Sequence, residues 1–163
     1  MTQTALVALG SNRSFGGLPP RAIVERAAAA LSSLGEARLS PLYSSLAWPD
    51  PSAPPYVNAV AMVRTTLAPE AMLAGLLAIE AGFARRRDPA ERYGARTLDL
   101  DLLAQDGEVR DTAELTLPHP RLAERDFVLR PLADLAPAWF HPVTKTPVEA
   151  MIAALPEGSA RPL

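Results

Sequence analysis

The chain has 163 residues, 48% of them hydrophobic and 21% charged, enough to close one core and to set the expectation of a single domain over residues 1–163. A formal net charge of −2 provides no global basic field for nucleic acid, and zero cysteines exclude disulfides, thiolate metal sites and a cysteine nucleophile. With His119 and His141 as the only histidines, a three-histidine zinc centre is excluded, and the lack of a secretory leader or of any stretch near the roughly 20 apolar residues of a membrane span predicts a cytoplasmic protein.

Thr4–Leu9 is a short apolar run that stops at Gly10, Ser11 and Asn12, the pattern of a buried strand ending in a turn. Pro19 and Pro20 open a helix in which Ile23, Ala27, Ala30, Leu31 and Leu34 recur at helical spacing until Gly35. Arg38–Leu46 alternates loosely as a second strand, and Trp48–Pro55 then carries four prolines in eight residues, a stiff loop. Tyr56–Thr66 is β-branched and apolar, a third strand. Ala68–Ala84 begins with Pro69 and Glu70 and sets Met72, Leu73, Leu76, Leu77 and Ile79 along one side of a second helix. An arginine-rich loop, Arg85–Arg96, leads into Thr97–Ala104, a fourth strand that turns at Asp106 and Gly107. Beyond it the pattern predicts a strand or loop near Glu114–Leu117, a helix around Asp126–Ala136 and an ill-defined end. The order βαββαβ is the ferredoxin-like pattern, an α+β sandwich in which two helices cover one face of an antiparallel sheet and the other is left to ligands, here with C-terminal additions.

In the fourth strand Leu98, Leu100 and Leu102 alternate with Asp99 and Asp101, so both carboxylates leave one face while the leucines enter the core. Two carboxylates facing one place suit Mg²⁺, which usually takes one or two of them and completes its shell with water and substrate phosphate. An amphipathic strand with a solvated face gives the same pattern, and the neighbourhood separates the two readings. Arg85, Arg86, Arg87, Arg92 and Arg96 are opposed only by Asp88 and Glu91, a local charge of about +3 that feeds directly into the aspartates. Cations on non-bridging oxygens with metal at the bridge are what a polyphosphate requires. The Walker and dinucleotide fingerprints are absent, as is a Gly-x-Ser-x-Gly nucleophile elbow. Gly10–Asn12 with Gly16 and Gly17 serves either as a turn or as a substrate loop. His119, fixed between Pro118 and Pro120, is either a surface histidine or a phosphate contact. Tyr56, Asn58 and Phe127 are either core positions or the frame of a planar heterocycle, two by ring contact and one by amide hydrogen bonds.

Several separate segments resemble one family, 6-hydroxymethyl-7,8-dihydropterin pyrophosphokinase of folate biosynthesis: Ala8–Asn12 (ALGSN), Tyr56–Ala59 (YVNA), Ile79–Glu80, Glu91–Leu103 (ERYGARTLDLDLL) and Leu117–Phe127 (LPHPRLAERDF). The resemblance implies the ferredoxin-like fold and transfer of pyrophosphate from ATP to the hydroxymethyl oxygen of the pterin, with release of AMP. By the same resemblance Asp99 and Asp101 hold two Mg²⁺ ions against ATP, the co-substrate, and Arg85 and Arg96 are the catalytic arginines, with Arg86 competing for the place of Arg85. Glu80, Arg87, Arg92, Leu102, Thr116, His119 and Arg125 resemble ATP-site positions; Ser45, Tyr56, Asn58, Tyr93 and Phe127 resemble the pterin pocket. Ser45, Leu46 and Ala47 stand where members often show a Thr-Pro-Pro type loop, and Tyr93 stands in place of a frequent tryptophan. The resemblance implies ATP and the pterin as the partners of a monomer that engages neither nucleic acid nor membrane. A metal-dependent nucleotidyltransferase, attacking the α-phosphorus, is the competing enzyme class, and a non-catalytic ligand-binding domain is the other alternative.

Overall fold

The first predicted strand forms β1 (Gln3–Ser11), whose odd-numbered side chains Ala5, Val7 and Leu9 and even-numbered Leu6 and Ala8 enter two separate apolar clusters. A central strand of a sheet covered on both faces reads this way, as a continuous apolar run. The structure, a computed structural model, describes residues 1–83 and 97–163. Phe15 and Leu18 then exchange two backbone hydrogen bonds around Gly16 (φ 59°) and Gly17 (φ 80°), left-handed conformations that glycine adopts without steric cost. The glycine pair is therefore a tight turn that launches α1 (Pro20–Ala30).

The predicted second strand is two strands. β2 (Glu36–Leu39) and β3 (Tyr43–Ser45) are separated at Pro41, which has no N–H to give to a ladder, while the backbone N–H of Ser40 donates to the Val60 carbonyl at 2.8 Å and the Ser40 hydroxyl accepts from the Val60 N–H at 2.9 Å. Both lie on one edge of β4 (Tyr56–Thr65), β2 against Ala61–Arg64 and β3 against Tyr56–Asn58. α2 (Pro69–Gly82) starts on a proline and buries Met72, Leu76 and Glu80, a stripe of spacing four. β5 (Asp99–Gln105) returns on the free side of β1. Every described pairing in the main sheet is antiparallel, in the order β5, β1, β4, then β2 and β3 together.

After β5 come a short ribbon of β6 (Arg110–Asp111) and β7 (Thr116–Leu117), α3 (Asp126–Leu135), α4 (Val148–Ala154) and a final strand β8 (Arg161–Pro162) on the outer edge of β3. The antiparallel α+β architecture matches the expectation, and α1 and α2 share one face over Val7, Leu9, Ala61 and Leu100. The opposite face is not left wholly to ligands. Leu6, Val60, Leu103 and Ala104 project there, and α3 and α4 bury them beneath Val128, Leu129, Leu132, Val148 and Met151. The physical reason is hydrophobic: each such side chain gains roughly 1.5–3 kcal/mol from burial, so that part of the face demands a cover. Among the described residues, its other end is open.

Candidate active site

That open end is built from the register of four strands. Gly10 on β1 lies opposite Asp99 on β5 and Asn58 on β4, and Asn58 lies opposite Tyr43 on β3, so one row of side chains crosses the sheet. In the next row towards α3, Ala8 sits between Asp101 and Val60. Strand alternation thus puts both carboxylates beside two of the smallest residues in the chain, which form the floor of a cleft of about 620 Å³. A Cβ added to Gly10 would stand 3.2 Å from Asn58 Oδ1 and 3.7 Å from Tyr56 Cδ1, so glycine is what lets the amide approach the floor. Asn58 is buried, and its Nδ2–H donates to Ser45 Oγ at 2.7 Å, which leaves Oδ1 as the acceptor facing the floor.

The opposite wall comes from the start of α3. Arg125 and Phe127 line the cleft, with the guanidinium carbon of Arg125 5.7 Å from the centre of the Phe127 ring. Helix α2 acts from behind: its apolar stripe ends in Glu80, 2% exposed, whose Oε2 accepts the Leu100 N–H at 2.7 Å. Leu100 lies between the two aspartates on β5, which among the described residues is the last strand of the sheet on that side, so Glu80 satisfies an edge N–H that no described strand takes up. Farther along the same strand the His119 N–H donates to the Leu103 carbonyl at 2.8 Å. Burial holds the His119 imidazole below its usual pKa, and Arg125 and Arg121 act in the same direction while Asp101 opposes them. The Arg121 N–H donates to His119 Nδ1, so the neutral ring carries its proton on Nε2.

Among the described residues no group of three or more His, Cys, Asp and Glu side chains is placed to hold a metal. The donor set of the cleft is the carboxylate pair, and this suits Mg²⁺ arriving with phosphate oxygens and water in its remaining positions. The residues present fit a metal-nucleotide complex.

Of the residues singled out in the sequence, Ser45, Tyr56, Asn58, Asp99, Asp101, Arg125 and Phe127 share this cleft. His119 is within electrostatic reach of Asp101. Glu80 lies behind β5, and Leu102 is buried in the core beneath α1 and α2, so any ligand would meet its main chain. Thr116 is exposed on the β6–β7 ribbon, outside the lining. Arg85, Arg86, Arg87, Arg92, Tyr93 and Arg96 fall outside the described residues. Sequence reasoning missed Leu46, Trp48, Arg121 and Glu124, which also line the cleft. The signals available were the large apolar Trp48 at the head of a proline-rich loop and the arginine that follows Pro118-His119-Pro120. Asn12, buried, donates through Nδ2 to the Pro54 carbonyl at 3.0 Å and ties the turn after β1 to that loop.

The family described as 7,8-dihydro-6-hydroxymethylpterin-pyrophosphokinase (HPPK) matches residues 6–137 of this sequence. A 2-amino-4-hydroxy-6-hydroxymethyldihydropteridine pyrophosphokinase of Pseudomonas aeruginosa is 44% identical over 140 residues, covering 84% of this chain and 83% of that protein. A protein of the same name from Synechocystis sp. is 45% identical over 105 residues, 64% of this chain, and the matched part spans about half (52%) of that relative's length. The crystal structure of wild-type Plasmodium falciparum HPPK-DHPS superposes with a TM-score of 0.70 at 14% identity, over 94% of this chain and 44% of that one, which shows a shared fold. Together with the paired aspartates of β5, these matches settle the affiliation: the chain belongs to the 7,8-dihydro-6-hydroxymethylpterin-pyrophosphokinase family.

Proposed function

We propose that this chain is a cytoplasmic, monomeric, single-domain enzyme that transfers the pyrophosphoryl group of ATP to the hydroxymethyl oxygen of 6-hydroxymethyl-7,8-dihydropterin. The observation that carries the reading is one shared cleft: Asp99 and Asp101 stand on the same sheet face, and one row of side chains runs from Asp99 to Asn58 with Phe127 opposite. A polyanion with its metal and a flat heterocycle with hydrogen-bonding edges are thereby brought side by side. No helix among the described residues is long and apolar enough to cross a membrane.

In this reaction the hydroxymethyl oxygen attacks the β-phosphorus in line. The bond from that phosphorus to the oxygen bridging the α-phosphorus breaks, its electron pair leaves on AMP, and the hydroxyl proton is lost to water. Asp99 and Asp101 would hold two Mg²⁺ ions, and the metal when bound would supply neutralisation of phosphate charge. Phe127 stacks on the pterin, while Tyr56 and Asn58 fix its edges, Asn58 through the Oδ1 that its bond to Ser45 leaves free to accept. His119, neutral with its proton on Nε2, donates to phosphate, and Arg125 adds charge at the same wall. Arg85 and Arg96 meet the charge that develops during transfer, Arg87 and Arg92 complete the nucleotide side with the main chain of Leu102, Thr116 extends it beyond the cleft, and Glu80 supports it from behind β5. Most of the acceleration comes from positioning and charge stabilisation, since phosphoryl transfer asks for little covalent help.

Purified protein incubated with Mg-ATP and the hydroxymethyl dihydropterin is expected to yield AMP and the pterin diphosphate in equal amounts. Free pyrophosphate with a nucleotidylated pterin would move the enzyme to the nucleotidyltransferases, and no product from folded protein would overturn the proposal.

A further inference from the structure

Residues beyond Pro137 lie outside the range matched by the family, yet the last of them reach both walls of the cleft. β8 pairs with β3, Tyr43 opposite Pro162 and Ser44 opposite Arg161, and the Leu163 N–H donates to the Leu42 carbonyl at 2.9 Å. Immediately before β8 the chain makes two further bonds. The Leu46 N–H donates to Ser159 Oγ at 3.0 Å, and the Ala160 N–H donates to Asp126 Oδ2 at 3.0 Å. Leu46 follows Ser45 and leads to Trp48 on one wall, while Asp126 is the first residue of α3 and precedes Phe127 on the other. Gly158 packs so closely under the Asp126 carboxylate that a Cβ there would collide with Oδ2, and Ala160 is 2% exposed. A second link, from the Tyr43 hydroxyl to Asp134, joins β3 to the far end of α3. The two walls are thus tied near the cleft by residues 158–160 and again away from it by Tyr43.

We propose that residues 158–160 are a brace that fixes the spacing of the heterocycle-binding walls, with Ser159 and Asp126 as positioning residues that never touch the substrate. The inference rests on the reading of Ser45, Tyr56, Asn58 and Phe127 as the pterin side of the cleft. A planar ring held between Phe127 and the floor is sensitive to the position of both walls, because dispersion contacts fall away within a fraction of an ångström. Losing one bond of the brace frees the Leu46 segment without disturbing Asp99 and Asp101, which sit on β5 with both β4 and β1 in between. Pterin binding then weakens while nucleotide binding does not.

Ser159→Ala removes the acceptor, Ser159→Thr keeps a hydroxyl there, and Gly158→Ala displaces the Asp126 carboxylate by an independent route. Steady-state kinetics with each substrate varied in turn, together with thermal melts, read the outcome. Ser159→Ala and Gly158→Ala are expected to raise the KM for the pterin by about three- to tenfold, the range of one neutral hydrogen bond, with kcat and the KM for ATP within about twofold of wild type. Ser159→Thr is expected to restore the wild-type value. An unchanged pterin KM in both alanine variants, a parallel rise in the KM for ATP, or failure of threonine to restore would overturn the brace. Wild-type protein that forms no pterin diphosphate refutes the proposed function and the brace with it, whereas wild-type turnover with unaffected variants refutes the brace alone.

Discussion

Replacement of Glu80 tests whether a buried carboxylate supports the two aspartates from behind. Its Oε2 accepts the Leu100 N–H at 2.7 Å and the side chain is 2% exposed. A hydrogen bond contributes about 0.5–1.5 kcal/mol between neutral groups and about 1.5–3 kcal/mol to a charged one, and truncation also strands a buried edge N–H at a cost of about 1–3 kcal/mol. These costs overlap, so Glu80→Ala should destabilise by about 3 kcal/mol, and Glu80→Gln, which keeps an acceptor of the same reach, by about 1 kcal/mol. For a chain of this size 1 kcal/mol corresponds to about 2–4 °C, giving a melting temperature lower by about 6–12 °C for alanine and about 2–4 °C for glutamine. Because Leu100 lies between Asp99 and Asp101, the alanine variant should also need more Mg²⁺ for half-maximal turnover while its KM for the pterin stays near wild type. Thermal melts and a magnesium titration measure both effects. An alanine variant melting within 2 °C of wild type (about half a kcal/mol), or a glutamine variant as unstable as alanine, would refute the supporting role.

Asp99→Ala and Asp101→Ala should each lower AMP formation by about 100-fold or more, the scale of losing a major electrostatic contact in the transition state, without lowering the melting temperature; turnover within tenfold of wild type would remove the metal role. Gly10→Ala places a Cβ 3.2 Å from Asn58 Oδ1, so the amide must yield, and the KM for the pterin should rise by about tenfold (about 1.4 kcal/mol); an unchanged value would show that Asn58 does not read the ring. Burial, and next the bond to Asp134, push Tyr43 up to about 12 from an ordinary value of 10.0. The folded state therefore keeps its phenol proton where the unfolded chain has lost it, so this contribution of roughly 2–3 kcal/mol is complete below pH 10 and disappears as pH rises through 12. Wild-type stability should fall faster than that of Tyr43→Phe between pH 10 and 12 (the window set by the same shift), as read by chemical denaturation at each pH; parallel slopes would contradict the assignment.

The elements that were legible carry a periodic signal. β1, β4 and β5 announce themselves by apolar runs or by alternation, and α1 and α2 by proline starts and stripes at helical spacing. The single strand expected over Arg38–Leu46 fails at Pro41, where side-chain alternation gives no sign of the missing N–H. α4 buries only Val148 and Met151, too few positions for a recognisable stripe, and β8 is two residues held by pairing with β3. In the site, Asp99 and Asp101 are legible because a strand dictates where alternate side chains go. Trp48 comes from a loop, and Arg121 and Glu124 from a single 3-10 turn (Leu122–Glu124) and the residue before it, so their arrival at the cleft is decided by tertiary contacts such as the bond from Asn12 to Pro54. Glu80 is an intermediate case. The spacing of Met72, Leu76 and Glu80 places a carboxylate at the end of an apolar stripe, which requires it to find a donor inside the protein.

The position of the cleft follows from a change of polarity within one sheet face. On β1 that face reads Gly10, Ala8, Leu6; on β4 it reads Asn58, Val60, Met62; and on β5 it reads Asp99, Asp101 and then both Leu103 and Ala104, because the ladder slips by one residue between Leu6 and Val7. A bulge of this kind puts two successive side chains on the same side, and it does so where the carboxylates end. The apolar half must be covered, and α3 covers it with Val128, Leu129 and Leu132. The polar half cannot be covered in the same way, since burying two carboxylates under apolar side chains without partners costs far more than the helix would gain. α3 therefore begins at the boundary, which brings Phe127 over the edge of the open half and sets an aromatic ring beside the acidic pair. The acidic pair and the aromatic wall are adjacent because both are consequences of where three neighbouring strands turn from apolar to polar.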